Sequence, residues 1–201
     1  MTAKILVTGG AGFIGSEIVK QLSAHDEYEI RVLDALTKQI HGNNPEKSYL
    51  FQSIKDCCDF IRGDVRDFTT VQKALEGVDV VLHLAAETGT GQSMYMINQY
   101  NEVNVMGLSN IFQALSLKGK SNTIRKVILS SSRSVYGEGE YQCPNCGVVY
   151  PRGRKTKDMM QGDFTMHCDK CNTALTLMPH HRRQQNPPQI LFMRSPSFHK
   201  R

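Results

Sequence analysis

Short apolar runs alternate with longer stretches of helical period over the first two thirds of the chain. Lys4–Thr8, Ile30–Leu33, Phe60–Arg62, Val78–Leu84 and Val127–Ser130 read as strands, rich in Val, Ile and Leu. Four of them lack the apolar–polar alternation of a half-exposed strand, which predicts parallel strands buried on both faces. Phe13–Ala24, Thr69–Glu76 and a long segment around Met94–Leu117 read as helices between them. In the last, Leu108, Ile111, Phe112 and Leu115 fall at i, i+3, i+4 and i+7, an apolar stripe that packs a helix on a sheet. Such strand–helix alternation predicts an α/β fold, a doubly wound parallel sheet with right-handed crossovers.

The pattern changes near Gly137. Residues 1–138 form the predicted α/β domain, 139–177 a small cysteine-bearing insert, and 178–201 a Pro-, His- and Arg-rich tail with no period, expected to be disordered. The net charge of +5 suggests nucleic acid until its location is examined. Five of the 24 basic residues and none of the 19 acids lie in 179–201, so the body is neutral and no nucleic-acid partner is expected. No apolar run is long enough to cross a membrane, and Met1-Thr2-Ala3-Lys4 leads straight into a strand without a signal-peptide pattern. A cytoplasmic location is expected, and its six cysteines then read as metal ligands or free thiols rather than disulfides.

Candidate chemistry begins after the first strand. In Thr8-Gly9-Gly10-Ala11-Gly12-Phe13-Ile14-Gly15, Gly9 and Gly12 allow a tight turn and close backbone approach to a pyrophosphate. Gly15 lets helix and strand pack closely, and the helix N-terminus faces the anion. Asp34, 19 residues past Gly15, ends the second strand. A carboxylate there accepts from ribose hydroxyls and repels a 2′-phosphate, which predicts NAD rather than NADP. Together with the strand–helix alternation, this loop predicts a Rossmann fold.

The spacing Gly9-x-x-Gly12-x-x-Gly15 with Phe13-Ile14 resembles the extended short-chain dehydrogenase/reductase family. Further matches are Gly63-Asp64-Val65-Arg66-Asp67, Leu82-His83-Leu84-Ala85-Ala86, Asn104-Val105-x-Gly107 and Ser130-Ser131-Ser132-x-x-Val135-Tyr136-Gly137. The resemblance implies that Asp64, with Val65 beside it, contacts the adenine, and that Leu84, Ala85 and Ala86 line the cofactor beneath the nicotinamide. It also implies that Ser132 hydrogen-bonds the sugar hydroxyl undergoing oxidation, that the substrate is a dTDP- or UDP-hexose, and that the full-length family is homodimeric. Leu33–Leu36, Ile40–Gly42 and Glu87–Ser93 resemble a bacterial group of nucleotide-sugar 4-epimerases carrying a cysteine-rich insert at this place. Related 4,6-dehydratases carry an acidic pair after the serine. Arg133 and Ser134 stand there, which favours epimerisation over dehydration.

The insert carries Cys143-Pro144-Asn145-Cys146 and Cys168-Asp169-Lys170-Cys171, two Cys-x-x-Cys knuckles separated by 21 residues. Four thiolates on two tight turns predict a closed, structural zinc site of the ribbon type, with no open position for catalysis. Cys57 and Cys58 read as free thiols at the edge of the third strand.

The family places a Tyr-x-x-x-Lys pair after the serine, and no tyrosine here has a lysine four residues later. The reading is therefore the N-terminal, NAD-binding part of an epimerase, inactive as it stands. The alternatives are a non-catalytic NAD-binding zinc protein or a dehydratase fragment. From about Pro179 the tail is expected to be out of frame: regrouping codons from each third base across Leu191–Ser197 permits Ile-Tyr-Ala-Leu-Ser-Lys.

Overall fold

The structure, a computed structural model, describes residues 2–119, 122–132 and 137–179. Two compact units divide the chain at Ser130. The first begins with β1 (Ala3–Thr8), α1 (Phe13–Ser23) and β2 (Tyr28–Asp34), followed by the short helices α2 (Lys38–His41) and α3 (Tyr49–Gln52). It continues through β3 (Asp59–Arg62), α4 (Phe68–Ala74), β4 (Val80–His83), α5 (Thr90–Ser93), α6 (Ile97–Asn101), α7 (Gly107–Lys118) and β5 (Lys126–Leu129). All five strands pair in parallel, in the order β3-β2-β1-β4-β5. The predicted doubly wound sheet is therefore present.

Side chains of one strand serve opposite layers, as the period of two requires. Leu6, Leu33 and Val81 face a core with α4 and α7 that includes Val71, Leu75 and Ile111. Ile5, Val7, Ile30 and Val32 face the other core, with Val19 of α1 and Ile54. This two-sided burial explains why the central strands lack alternation.

Several expectations shift in detail. The strand expected over Val78–Leu84 is confined to Val80–His83, and α2 and α3 were not anticipated. The long helix expected around Met94–Leu117 is broken by a π-helical turn, Glu102–Met106, between α6 and α7. Of its expected stripe, Ile111 is buried and Leu115 packs against the same core, joined by Gly107 and Ala114, whereas Phe112 is exposed. Small residues let α7 approach closely, so the bulkier Phe112 turns outward.

In the second unit β6 (Tyr141–Cys143) pairs antiparallel with β7 (Gly147–Val149) and β8 (Thr176–Leu177), and α8 (Thr156–Met160) lies between β7 and β8 in sequence. The tail expected to be disordered and out of frame lies, from residue 180 on, outside the described residues, as do Arg133–Tyr136. No helix among the described residues is long and apolar enough to cross a membrane.

Candidate functional site

Strand order reverses between β1 and β4, because the chain goes outward from β1 to β2 and β3 and then returns to β4. Ligands of open α/β sheets bind in the crevice at such a point, beyond the carboxyl ends of the strands. The predicted residues follow those ends: the glycine turn after β1, Asp34 closing β2, Asp64 after β3, and Leu84–Ala86 after β4.

Steric limits fix the turn. Gly9 has φ +70°, and a Cβ there would meet the Ala85 backbone N at 2.6 Å. A Cβ on Gly15 would lie 2.2 Å from the Gly9 carbonyl oxygen, a collision with backbone that no rotamer relieves. Gly10, not singled out beforehand, is equally constrained, since its Cβ would press on both γ-carbons of Val32 at 2.8 Å. Gly12 is the N-cap of α1 and brings no side chain to cap it. The first-turn N–H groups are thus left to an external acceptor, with the positive end of the helix dipole behind them. Phe13 and Ile14 open the helix with exposed side chains, Phe13 at 83%.

The Asp34 carboxylate is already engaged on its own chain: it accepts from the Ala11 N–H at 2.9 Å and from the Leu36 N–H at 2.8 Å. It therefore ties the glycine turn to β2 while retaining further lone pairs. Asp64 accepts from the Arg66 backbone N–H at 2.9 Å and from its guanidinium. Val65 is buried in the core, and its carbonyl accepts from Asn110 of α7 at 2.9 Å.

Beneath the turn, Thr8 Oγ1 and His83 Nδ1 lie 2.7 Å apart, both buried, and Thr8 Oγ1 also accepts from the Ala85 N–H at 3.3 Å. Burial pushes the His83 pKa down, so the ring is neutral. This pair links β1 to β4 at the point where their order reverses, and its spacing of 75 residues hid it from sequence reading. Beyond Ala86, Asn104 makes two bonds to the Glu87 backbone, accepting from its N–H at 2.7 Å and donating to its carbonyl at 3.2 Å. Tyr100 donates to the Thr88 carbonyl at 2.7 Å. The segment after β4 is thereby held from α6 and the π turn. Ser132 is exposed, three residues beyond β5, and the Val-Tyr of its motif lies outside the described residues.

In the second unit the Sγ atoms of Cys143, Cys146, Cys168 and Cys171 all lie within 4.8 Å of one another, with Cys143 and Cys171 at 3.5 Å. Tetrahedral zinc with Zn–S bonds of about 2.3 Å needs sulfurs about 3.8 Å apart, so the quartet fits that ion. Each knuckle ends alike: the residue after its second cysteine has positive φ, +74° at Gly147 and +59° at Asn172. The Asn172 N–H donates to the Cys168 carbonyl at 2.8 Å, closing the second turn.

Residues 5–152 match the NAD dependent epimerase/dehydratase family. A dTDP-L-rhamnose 4-epimerase from Burkholderia thailandensis is 38% identical over 165 residues, covering 80% of this chain and 44% of that protein. A UDP-glucose 4-epimerase from Streptomyces lividans is 32% identical over 143 residues, covering 70% of this chain and 39% of the relative. Among solved structures, a variant of UDP-glucuronic acid 4-epimerase from Bacillus cereus, in complex with a 4-deoxy-4-fluoro analogue of UDP-glucuronic acid and NAD, is similar with a TM-score of 0.59. It is 32% identical, over 74% of this chain and 46% of that one. A dTDP-glucose 4,6-dehydratase from Streptomyces venezuelae with NAD bound gives a TM-score of 0.55 at 32% identity, over 67% of this chain and 41% of that one. The chain spans less than half the length of these relatives. With the glycine turn, the acids ending β2 and following β3, and the family match over residues 5–152, this protein belongs to the NAD dependent epimerase/dehydratase family.

Proposed function

We propose that this chain is the NAD-binding part of a nucleotide-sugar 4-epimerase. The carrying observation is the order of groups along the carboxyl ends of the strands, with the uncapped glycine turn over β1, Asp34 on β2 and Asp64 after β3. A dinucleotide laid across that edge meets them as pyrophosphate, ribose and adenine, and its other half extends toward Leu84–Ala86 beside β4. Phe13 and Ile14 flank the pyrophosphate, and the Val65 backbone lies on the adenine side. NAD, when bound, supplies the hydride acceptor for oxidation at sugar C4. The chain's own part is to bind and orient: backbone N–H groups of α1 neutralise phosphate charge, and Ser132 holds the sugar hydroxyl. The 38% identity to a dTDP-L-rhamnose 4-epimerase supports a dTDP- or UDP-hexose as the substrate class.

The four thiolates hold one structural zinc, with no open position for substrate. Since no tyrosine in the chain is followed four residues on by lysine, we expect cofactor binding without turnover. A non-catalytic NAD-binding zinc protein is the second reading, favoured by that same feature. Titration with NAD and NADP, followed by calorimetry, tests the cofactor assignment. NAD is expected to bind more tightly, with the preference lost in Asp34→Ala, and equal affinities would reject the role of Asp34. Assay of UDP- and dTDP-hexose turnover decides whether the chain catalyses on its own.

A further inference from the structure

Cys57 and Cys58 take no part in the dinucleotide edge or the four-cysteine cluster, yet their sulfurs converge. The Cys57 thiol donates to the Ile54 carbonyl at 3.2 Å, and the Cys58 thiol donates to the same oxygen at 3.2 Å. The Cys57 backbone N–H reaches that oxygen as well, at 3.1 Å. One acceptor thus gathers two adjacent side chains on one side of the turn before β3, although neighbours in an extended strand would point apart. Cys57 is exposed, and Cys58 is half-buried against the core that holds Ile54 and Val32. The turn is anchored from below by buried Ile54 and followed by Asp59, whose carboxylate accepts from Arg31 at 2.7 Å.

We propose that Cys57 and Cys58 form a two-thiol binding site for a soft, thiophilic Lewis acid of the trivalent arsenical class. Soft thiol ligands favour such acceptors over hard cations, and two sulfurs gathered on one carbonyl of a short turn suit a chelate on a single arsenic. With an organoarsenic(III) oxide the balance is simple. Two S–H bonds and the arsenic–oxygen bond break, two arsenic–sulfur bonds form, and both protons leave with the oxygen as one water. Arsenic stays trivalent, so no oxidant or reductant is needed. Burial pushes the Cys58 thiol up to about 12, and the neighbouring Cys57 and Asp59 add to the shift, so Cys58 reacts as a neutral thiol. The site lies at the amino end of β3, opposite the strand ends that carry the glycine turn and Asp34, so its occupation leaves the dinucleotide edge open.

The test uses zinc-supplemented protein and phenylarsine oxide, with binding counted by intact mass spectrometry. Wild type is expected to take up one more equivalent than Cys57→Ser/Cys58→Ser, whatever the four-cysteine cluster itself binds. That equivalent should be released by dimercaptopropanol but not by the same concentration of mercaptoethanol, the signature of two sulfurs on one arsenic. Each single variant should lose it too. Serine preserves the bond to the Ile54 carbonyl, and circular dichroism checks that the variants fold. Equal uptake by wild type and double variant, retention in either single variant, or release by the monothiol would overturn the proposal.

Discussion

The Arg66 guanidinium holds the Asp64 carboxylate with Nε at 3.1 and 3.0 Å from its two oxygens and Nη2 at 2.7 Å, while Nη1 reaches Glu102 at 3.3 Å. One side chain thereby fixes the acid after β3 and ties it to the π turn before α7. Burial alone would raise the Asp64 pKa; the hydrogen bonds and charge of Arg66 outweigh it and hold the carboxyl below its usual range.

Both partners are partly exposed, so the pair contributes about 0–1 kcal/mol to stability. What it contributes lies above the ordinary carboxylate pKa and disappears as pH falls through the lower folded value. Arg66→Ala is therefore expected to leave the melting temperature nearly unchanged at pH 7 while weakening NAD binding roughly tenfold, or about 1.4 kcal/mol. Arg66→Lys should recover part of the loss. Calorimetric titration with parallel melting curves separates the two effects, and an unchanged affinity would remove Arg66 from the site.

Acid should destabilise the first unit through His83. Its folded pKa is depressed by burial, so protons bind the unfolded chain more readily. Stability is full above the unfolded histidine pKa, about 6.5, and falls as pH drops from there toward the lower folded value. His41, also depressed by burial although Asp34 opposes the shift, adds to the same slope. His83→Phe should show a shallower loss between pH 7 and pH 5 in urea melts, and an identical slope would assign the effect elsewhere.

Two glycines of one loop should respond differently to alanine. At Gly15 the new Cβ meets fixed backbone at 2.2 Å, and Gly15→Ala is expected to cost about 1–3 kcal/mol and to abolish NAD binding. At Gly12 φ is −72°, which alanine adopts, and the new Cβ would lie 3.2 Å from the Gly9 carbonyl oxygen, so Gly12→Ala should cost less than Gly15→Ala, about 1 kcal/mol for the lost glycine N-cap. Chemical denaturation of both variants gives the ordering directly.

Elemental analysis of protein purified without added metal should return one zinc per chain, and Cys143→Ser should lower it sharply. Removing the metal with a chelator should open residues 137–179 to protease while the sheet of the first unit resists, because binding free energy in such sites is folding free energy. A metal content near zero, unchanged in Cys143→Ser, would reject the assignment.

The fold was legible where burial is two-sided. Ile5-Leu6-Val7 and Val80-Val81-Leu82 can only be central strands, and Gly9 and Gly15 can only be glycine once a strand and helix flank them. The clustering of the four cysteines was legible because a knuckle is local chemistry. Contacts between distant segments left no trace in one sequence. Thr8 and His83 sit in separate motifs, and Arg66 reads as an ordinary charged residue until its reach to Glu102 is seen. The π turn was hidden for a different reason, since no residue type announces it.

The fifth strand has a bearing on what the sheet can pair with. β5 ends the sheet among the described residues, and Ile128 and Leu129 on it are 44% and 53% exposed. A rim with unspent amides and carbonyls beside aliphatic side chains is a template for another extended segment. A segment paired there would continue the sheet and cover Ile128 and Leu129.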